Sequence, residues 1–151
     1  MNKLDLRHKP TGYEEDFARW SAEQAVLLRA GRLDRVDTEN VAEEIESLGR
    51  SEQSEIESRM AVLLAHLLKH QFQPAQRSAS WTATIFEQRY RIARVIRRSP
   101  SLKFYPAATR DEEYVIARRN AAAETGHPIS VFPETCSYTI EQILDEDWLP
   151  E

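Results

Sequence analysis

The stretch "SEQSEIESRMAVLLAHLLKHQFQP", residues 51–74, decides the fold. Ile56, Met60, Leu63, Leu64 and Leu67 recur at the three- and four-residue spacing that gathers side chains on one face of an α-helix. Ser51 or Ser54 opens it, Ser54 and Glu57 having capping-box spacing, and Pro74 stops it because proline cannot continue the hydrogen-bond ladder. At 100° per residue, His70 lies about 80° and His66 about 120° from the centre of this apolar face. Both histidines therefore fall on its flank.

Working towards the N-terminus, a helix is predicted from Tyr13 to Ala30, with Thr11 and Glu14 as a capping box and Gly31 as the stop. Tyr13, Phe17, Trp20, Gln24, Leu27 and Leu28 share one side of it. A second, shorter helix starts at Asp37, a suitable N-cap, and Gly49 ends or bends it. Val41, Ile45 and Leu48 form its apolar side, while Glu39, Glu43 and Glu46 lie almost opposite.

Towards the C-terminus, a helix beginning near Ser80 runs to the stop at Ser99-Pro100. Its apolar stripe is Trp81, Ile85, Gln88, Ile92, Val95 and Ile96. Another helical stretch spans Thr109–Thr125, with Thr109 and Glu112 at capping-box spacing and an interruption at Pro106. In "YTIEQILDEDWL", Thr139 and Gln142 cap a short helix whose Ile140, Ile143, Leu144 and Trp148 clamp the end of the chain to the core. No strand alternation, repeat or low-complexity linker is present. The expectation is all-α: a tail over residues 1–12, then one domain over 13–151, a helical bundle of about five to six helices.

Composition agrees with that class. A chain of 151 residues buries roughly 68–70% of the surface its unfolded form exposes, so it needs no metal or disulfide staple. The one cysteine, Cys136, cannot form an internal disulfide and lies in no redox or zinc motif. The start "MNKLDLRHKPTGYEEDF" has no secretory apolar run, and no segment approaches the roughly 20 apolar residues of a membrane span, so a cytoplasmic location away from membranes is expected. A net charge of -5 argues against bulk nucleic-acid affinity.

The site candidates are few. His66 and His70, four residues apart, can share a divalent metal, but a zinc site needs three or four ligands. Glu44 is the best-placed further donor. His-Glu-x-x-His is absent, since Leu67, Leu68 and Lys69 separate the histidines, and ordinary boundary hydrogen bonds are the simpler reading of the pair. The row Glu39, Glu43 and Glu46 reads as a solvated face. Arg91, Arg94 and Arg98 form a basic flank beside Arg77, Arg89 and Arg97, with Glu87 set to pair with Arg91. That flank suits phosphates, or else complements the acidic second helix within the bundle or across a dimer. Trp81 belongs to the apolar stripe and reads as core. Gln24 and Gln88, each inside such a stripe, must find partners, and a network with Glu44, His70 or Arg89 would satisfy them. Nucleophile elbow, Walker A and dinucleotide fingerprints are all missing, and no cofactor is implied.

The chain also resembles a known family. "DFARWSAEQAVLLRAGRLDRVDTENVAEEIESLGRSEQSEIESRMAVLLAHLLKHQFQP" (16–74), "RSASWTATIFEQRYRIARVI" (77–96), "SPSL" (99–102), "AAAETG" (121–126) and "FPETCSYTIEQILDEDWLP" (132–150) are together similar to the bacterial domain-of-unknown-function family 29. The resemblance covers Tyr13 to Pro150 and implies a single helical domain, standing alone in bacteria, with no assigned activity. Members commonly read "LLAHLLKWQ", so His66 matches the pattern and His70 departs from it. The other matched polar positions are Glu43, Glu44, Glu46, Arg50, Arg77, Ser78, Trp81, Gln88 and Arg89, and no catalytic role is carried over to any.

The expected function is a non-catalytic module that binds a protein partner or self-associates. The candidates for a polar network or pocket are Glu44, His66, Arg77, Trp81, Gln88 and Arg89. The alternatives are a metal-dependent enzyme or binder using His66 with Glu44, and nucleic-acid binding through Arg91, Arg94 and Arg98 on the basic helix 89–98.

Overall fold

A computed structural model describes residues 8–151. Five α-helices follow one another: α1 (Phe17–Arg29), α2 (Thr38–Phe72), α3 (Ala79–Arg98), α4 (Tyr105–Thr125) and α5 (Ile140–Leu144). Single 3₁₀ turns at Pro74–Gln76, Pro100–Leu102 and Ile129–Val131 join the later ones, and there is no strand among the described residues. No helix there is long and apolar enough to cross a membrane. Packing divides the chain inside α2 into two compact units, Met1–Arg50 and Ser51–Glu151.

The unbroken α2 corrects the expected pair of helices separated at Gly49. An interior glycine costs only about 1 kcal/mol relative to alanine. Good helix formers surround this one, and Arg50 reaches back to Glu43 at 2.8 Å and Glu46 at 3.8 Å. Gly49 does not take the left-handed conformation that would end a helix; Gly31 (φ 67°) and Gly126 (φ 72°) do, closing α1 and α4.

In the first unit, α1 begins four residues later than predicted. Asp16 is its N-cap, accepting from the Arg19 amide at 3.0 Å. Thr11 is drawn elsewhere: its amide and hydroxyl donate to the buried Glu23 carboxylate at 2.6 and 3.0 Å. At the other end the Gly31 amide bonds the Leu28 carbonyl and the Arg32 amide bonds that of Leu27, a Schellman closure. Asp37 caps α2 as expected, accepting from the Asn40 amide at 3.4 Å and also from Trp20 Nε1 at 3.1 Å. Gln24, inside the α1 stripe, accepts from the Asp37 amide at 2.8 Å, so its buried amide oxygen ties the middle of α1 to the start of α2. Beyond this knot the apolar side of α2 is uncovered: Ile45 is 63% exposed and Leu48 69%.

The second unit holds the main core. Ile56, Met60, Leu63, Leu64, Leu67 and Leu68 of α2 are completely or almost completely buried, meeting Ile85, Ile92 and Val95 of α3 and Tyr114, Ala117 and Ala121 of α4. Helix α3 starts at Ala79, beside the expected Ser80, and Ser78 caps it, accepting from the Trp81 amide at 3.2 Å. Helix α4 is not interrupted at Pro106; it starts one residue before it, where a missing amide hydrogen costs nothing. Thr109, expected as a cap, is therefore a buried residue inside the helix. Thr139 and Gln142 form both bonds of the capping box on α5. Ile143 is buried, and Ile140, Leu144 and Trp148 pack against the core.

Candidate functional site

Helix α3 has two chemically different sides. On the inner side Arg89, 3% exposed, aims its guanidinium at the end of α5. Its Nε donates to the Ile143 carbonyl at 2.7 Å, Nη2 to Gln142 at 3.3 Å and Nη1 to Glu146 at 3.5 Å. A short helix leaves its last carbonyls unpaired, and the planar fork satisfies them while its charge suits the negative end of the helix. Burial pulls the Arg89 pKa down, with Asp145 and Glu146 acting the other way. Its neighbour Gln88 is buried and accepts from Arg59 Nη1 at 3.3 Å, while Arg59 pairs with Glu55 at 3.5 Å.

The two histidines lead separate lives. His70 is buried, with Nδ1 3.2 Å from the Pro150 carbonyl, so that nitrogen donates; the His70 carbonyl in turn accepts from Arg77 Nε at 2.8 Å. His66 Nδ1 lies 2.9 Å from the Val62 carbonyl, which assigns the proton to Nδ1 and leaves Nε2 as acceptor. Lys69 Nζ stands 3.4 Å from that Nε2, 2.6 Å from Glu124 Oε2 and 5.0 Å from the centre of the half-buried Trp81 ring. Burial lowers the pKa of both histidines, helped for His70 by Arg77 and for His66 by Lys69. Neutral His66 thus spends its free lone pair on an ammonium.

Glu44 lies in the first unit and accepts from the Tyr13 hydroxyl at 2.5 Å, which raises the Tyr13 pKa to about 12. The structure brings His66 and Trp81 together through Lys69, Arg77 to His70, and Gln88 to Arg59. It gives Arg89 to α5 and Glu44 to Tyr13. Among the described residues no group of three His, Cys, Asp or Glu side chains is placed to hold a metal ion. Sequence reasoning passed over Lys69, Arg59, Tyr13 and Glu124; the one available signal was a lysine inside the apolar run 61–70.

The outer side of α3 is open. Phe86 and Tyr90 stack with ring centres 6.4 Å apart and planes 19° from parallel, yet they are 55% and 47% exposed. The Arg97 guanidinium sits 5.9 Å over the Tyr90 ring. Arg91 pairs with Glu87 at 3.1 Å and Arg98 with Glu52, while Arg94 has no ion-pair partner among the described residues. Beside them an open groove of about 310 Å³ is lined by Arg91, Arg94, Val95, Arg98 and Glu55. A second of about 390 Å³ runs along Ser51, Ser54, Ser58, Arg59 and Gln88. What α3 offers solvent is an aromatic and basic stripe; its polar groups facing inward are already satisfied, and no buried side-chain polar atom among the described residues lacks a partner.

The family model described as "Domain of unknown function DUF29" matches residues 12–149. No curated protein and no solved structure matches the chain.

Proposed function

Because the chain belongs to the DUF29 family, whose description assigns no activity, we propose from its geometry that it is a non-catalytic interaction module. Its α3 stripe docks an amphipathic helix of a protein partner. The observation that carries this reading is the exposure of the stacked Phe86 and Tyr90 on a helix whose other side packs Ile85, Ile92 and Val95 into the core. Large aromatics left in water gain on burial, and aromatic residues with arginine are the usual anchors of protein interfaces.

The polar candidates support it from the other direction. Arg89, His70 and Gln88 satisfy carbonyls and side chains of the protein's own fold, so they are not poised for chemistry. Nucleic acid is the weaker occupant, because Glu87 and Glu52 neutralise two of the three arginines on the flank. An acidic helix needs less positive charge than a phosphate backbone does.

A photo-crosslinking residue placed at Tyr90 tests the reading in the expressing cell. Adducts to protein at this position, lost when Phe86 is changed to Ser in the same chain, are expected. Absence of any protein adduct from Tyr90 contradicts it.

A further inference from the structure

We propose that the helix received by the α3 stripe belongs to a second copy of this chain, and that it is the N-terminal part of α2, residues 38–50. The inference rests on the docking role of α3 just described and names its occupant. Two stripes lie exposed, and their charges are opposite. On α3, Phe86, Tyr90, Arg94 and Arg97 fall within about 80° of arc. On α2, Ile45 and Glu46 flank Ala42 and Gly49 on the helix wheel, with Glu39 just beyond, an arc of about 120°. All five of these α2 residues are exposed.

Like stripes repel. Two α3 helices would set Arg94 and Arg97 against the same residues of the other copy, and two α2 segments would oppose Glu39 and Glu46. Only the mixed pairing joins opposite charge, and it joins groups with capacity to spare: neither Arg94 nor Glu39 has an ion-pair partner among the described residues. Shape agrees with charge. Gly49 is open, since a Cβ built on it meets nothing within 4 Å, and with Ala42 it leaves a shallow hollow beside Ile45. An antiparallel pairing that sets Tyr90 against Ile45 puts Phe86 opposite Gly49, Ala93 opposite Ala42, and Arg97 next to Glu39. Each copy carries both stripes, so each can both give the contact and receive it.

The reciprocity gives a sharp test by sedimentation velocity of the full chain. One variant carries Arg94→Glu and Arg97→Glu; the other carries Glu39→Arg and Glu46→Arg. Each alone opposes like charges at both contacts and is expected to associate at least about tenfold more weakly than the wild type, a difference of about 1.4 kcal/mol. Mixed in equal amounts, they again oppose unlike charges at both contacts, so association returns. All four sites are exposed, and thermal melting of each variant checks that it is folded. A mixture no more associated than its components overturns the proposal, as does a wild-type chain that stays monomeric at the highest concentration it tolerates. The Tyr90 crosslinker separates this failure from that of the docking role. An adduct of twice 17.5 kDa mapping to residues 38–50 supports the second copy. An adduct to a different protein, or within one chain, overturns the second copy; a different protein still leaves the docking role standing.

Discussion

Two parts of one helix carry the same pattern and meet opposite fates. Val41, Ile45 and Leu48 repeat at the spacing of Ile56, Met60, Leu63 and Leu67. The second set is completely buried, whereas Ile45 and Leu48 are more than 60% exposed. Periodicity tells which residues share a face of a helix; whether that face is covered depends on what the rest of the chain brings to it. For residues 56–68 the cover comes from α3, α4 and the C-terminal segment. For Ile45 and Leu48 nothing among the described residues supplies such a cover.

Truncation of side chains separates the two stretches most strongly. Leu64→Ala should lower stability by about 2–5 kcal/mol in urea unfolding, because deleting a fully buried side chain loses transfer free energy and leaves a cavity. Arg89→Met should cost about 1–3 kcal/mol, chiefly by leaving the Ile143 carbonyl without its donor in a closed site. Hydrogen exchange should then rise first in residues 139–150. At dilutions where the chain is monomeric, Leu48→Ala should change stability by no more than about 0.5 kcal/mol. Equal losses for Leu64→Ala and Leu48→Ala would erase the distinction between the two stretches.

A smaller effect comes from the buried His70. Its folded pKa lies below the ordinary 6.5, chiefly through burial. The unfolded chain therefore takes up a proton at His70 that the folded chain resists, and stability should fall as pH drops below about 6.5 towards the lower folded value. His70→Gln should flatten stability between pH 7 and 5, as followed by thermal melting. An unchanged slope would mean that His66, lowered in the same direction, or the carboxylates set it.

Much of the fold was legible because its signals are local. The capping box of Thr139 and Gln142, the cap at Asp37 and the stops at Gly31 and Pro74 each act within a few residues. Gly49 misled because a glycine marks a helix end only where the backbone turns left-handed, and here surrounding helix formers hold it in line. The site was less legible for a physical reason. Arg89 read as part of a basic flank, but the carbonyls it serves lie 53–57 residues further on. Lys69 and Glu124 are 55 residues apart, and no periodicity foretells such a pair. The outward-facing Phe86 and Tyr90 were not read from the sequence, although a helix wheel with Ile85, Ile92 and Val95 on the core side leaves both on the opposite side.

Docking of a second copy on the exposed stripe of α3 requires that the chain self-associate through Phe86 and Tyr90. Sedimentation equilibrium of the wild-type chain beside a Phe86→Ser, Tyr90→Ser variant tests it most directly. The predicted result is a wild-type mass that climbs from 17.5 kDa towards twice that value with concentration, while the variant stays at the monomer mass. A wild-type mass fixed at 17.5 kDa throughout, or equal association of the two proteins, would contradict it.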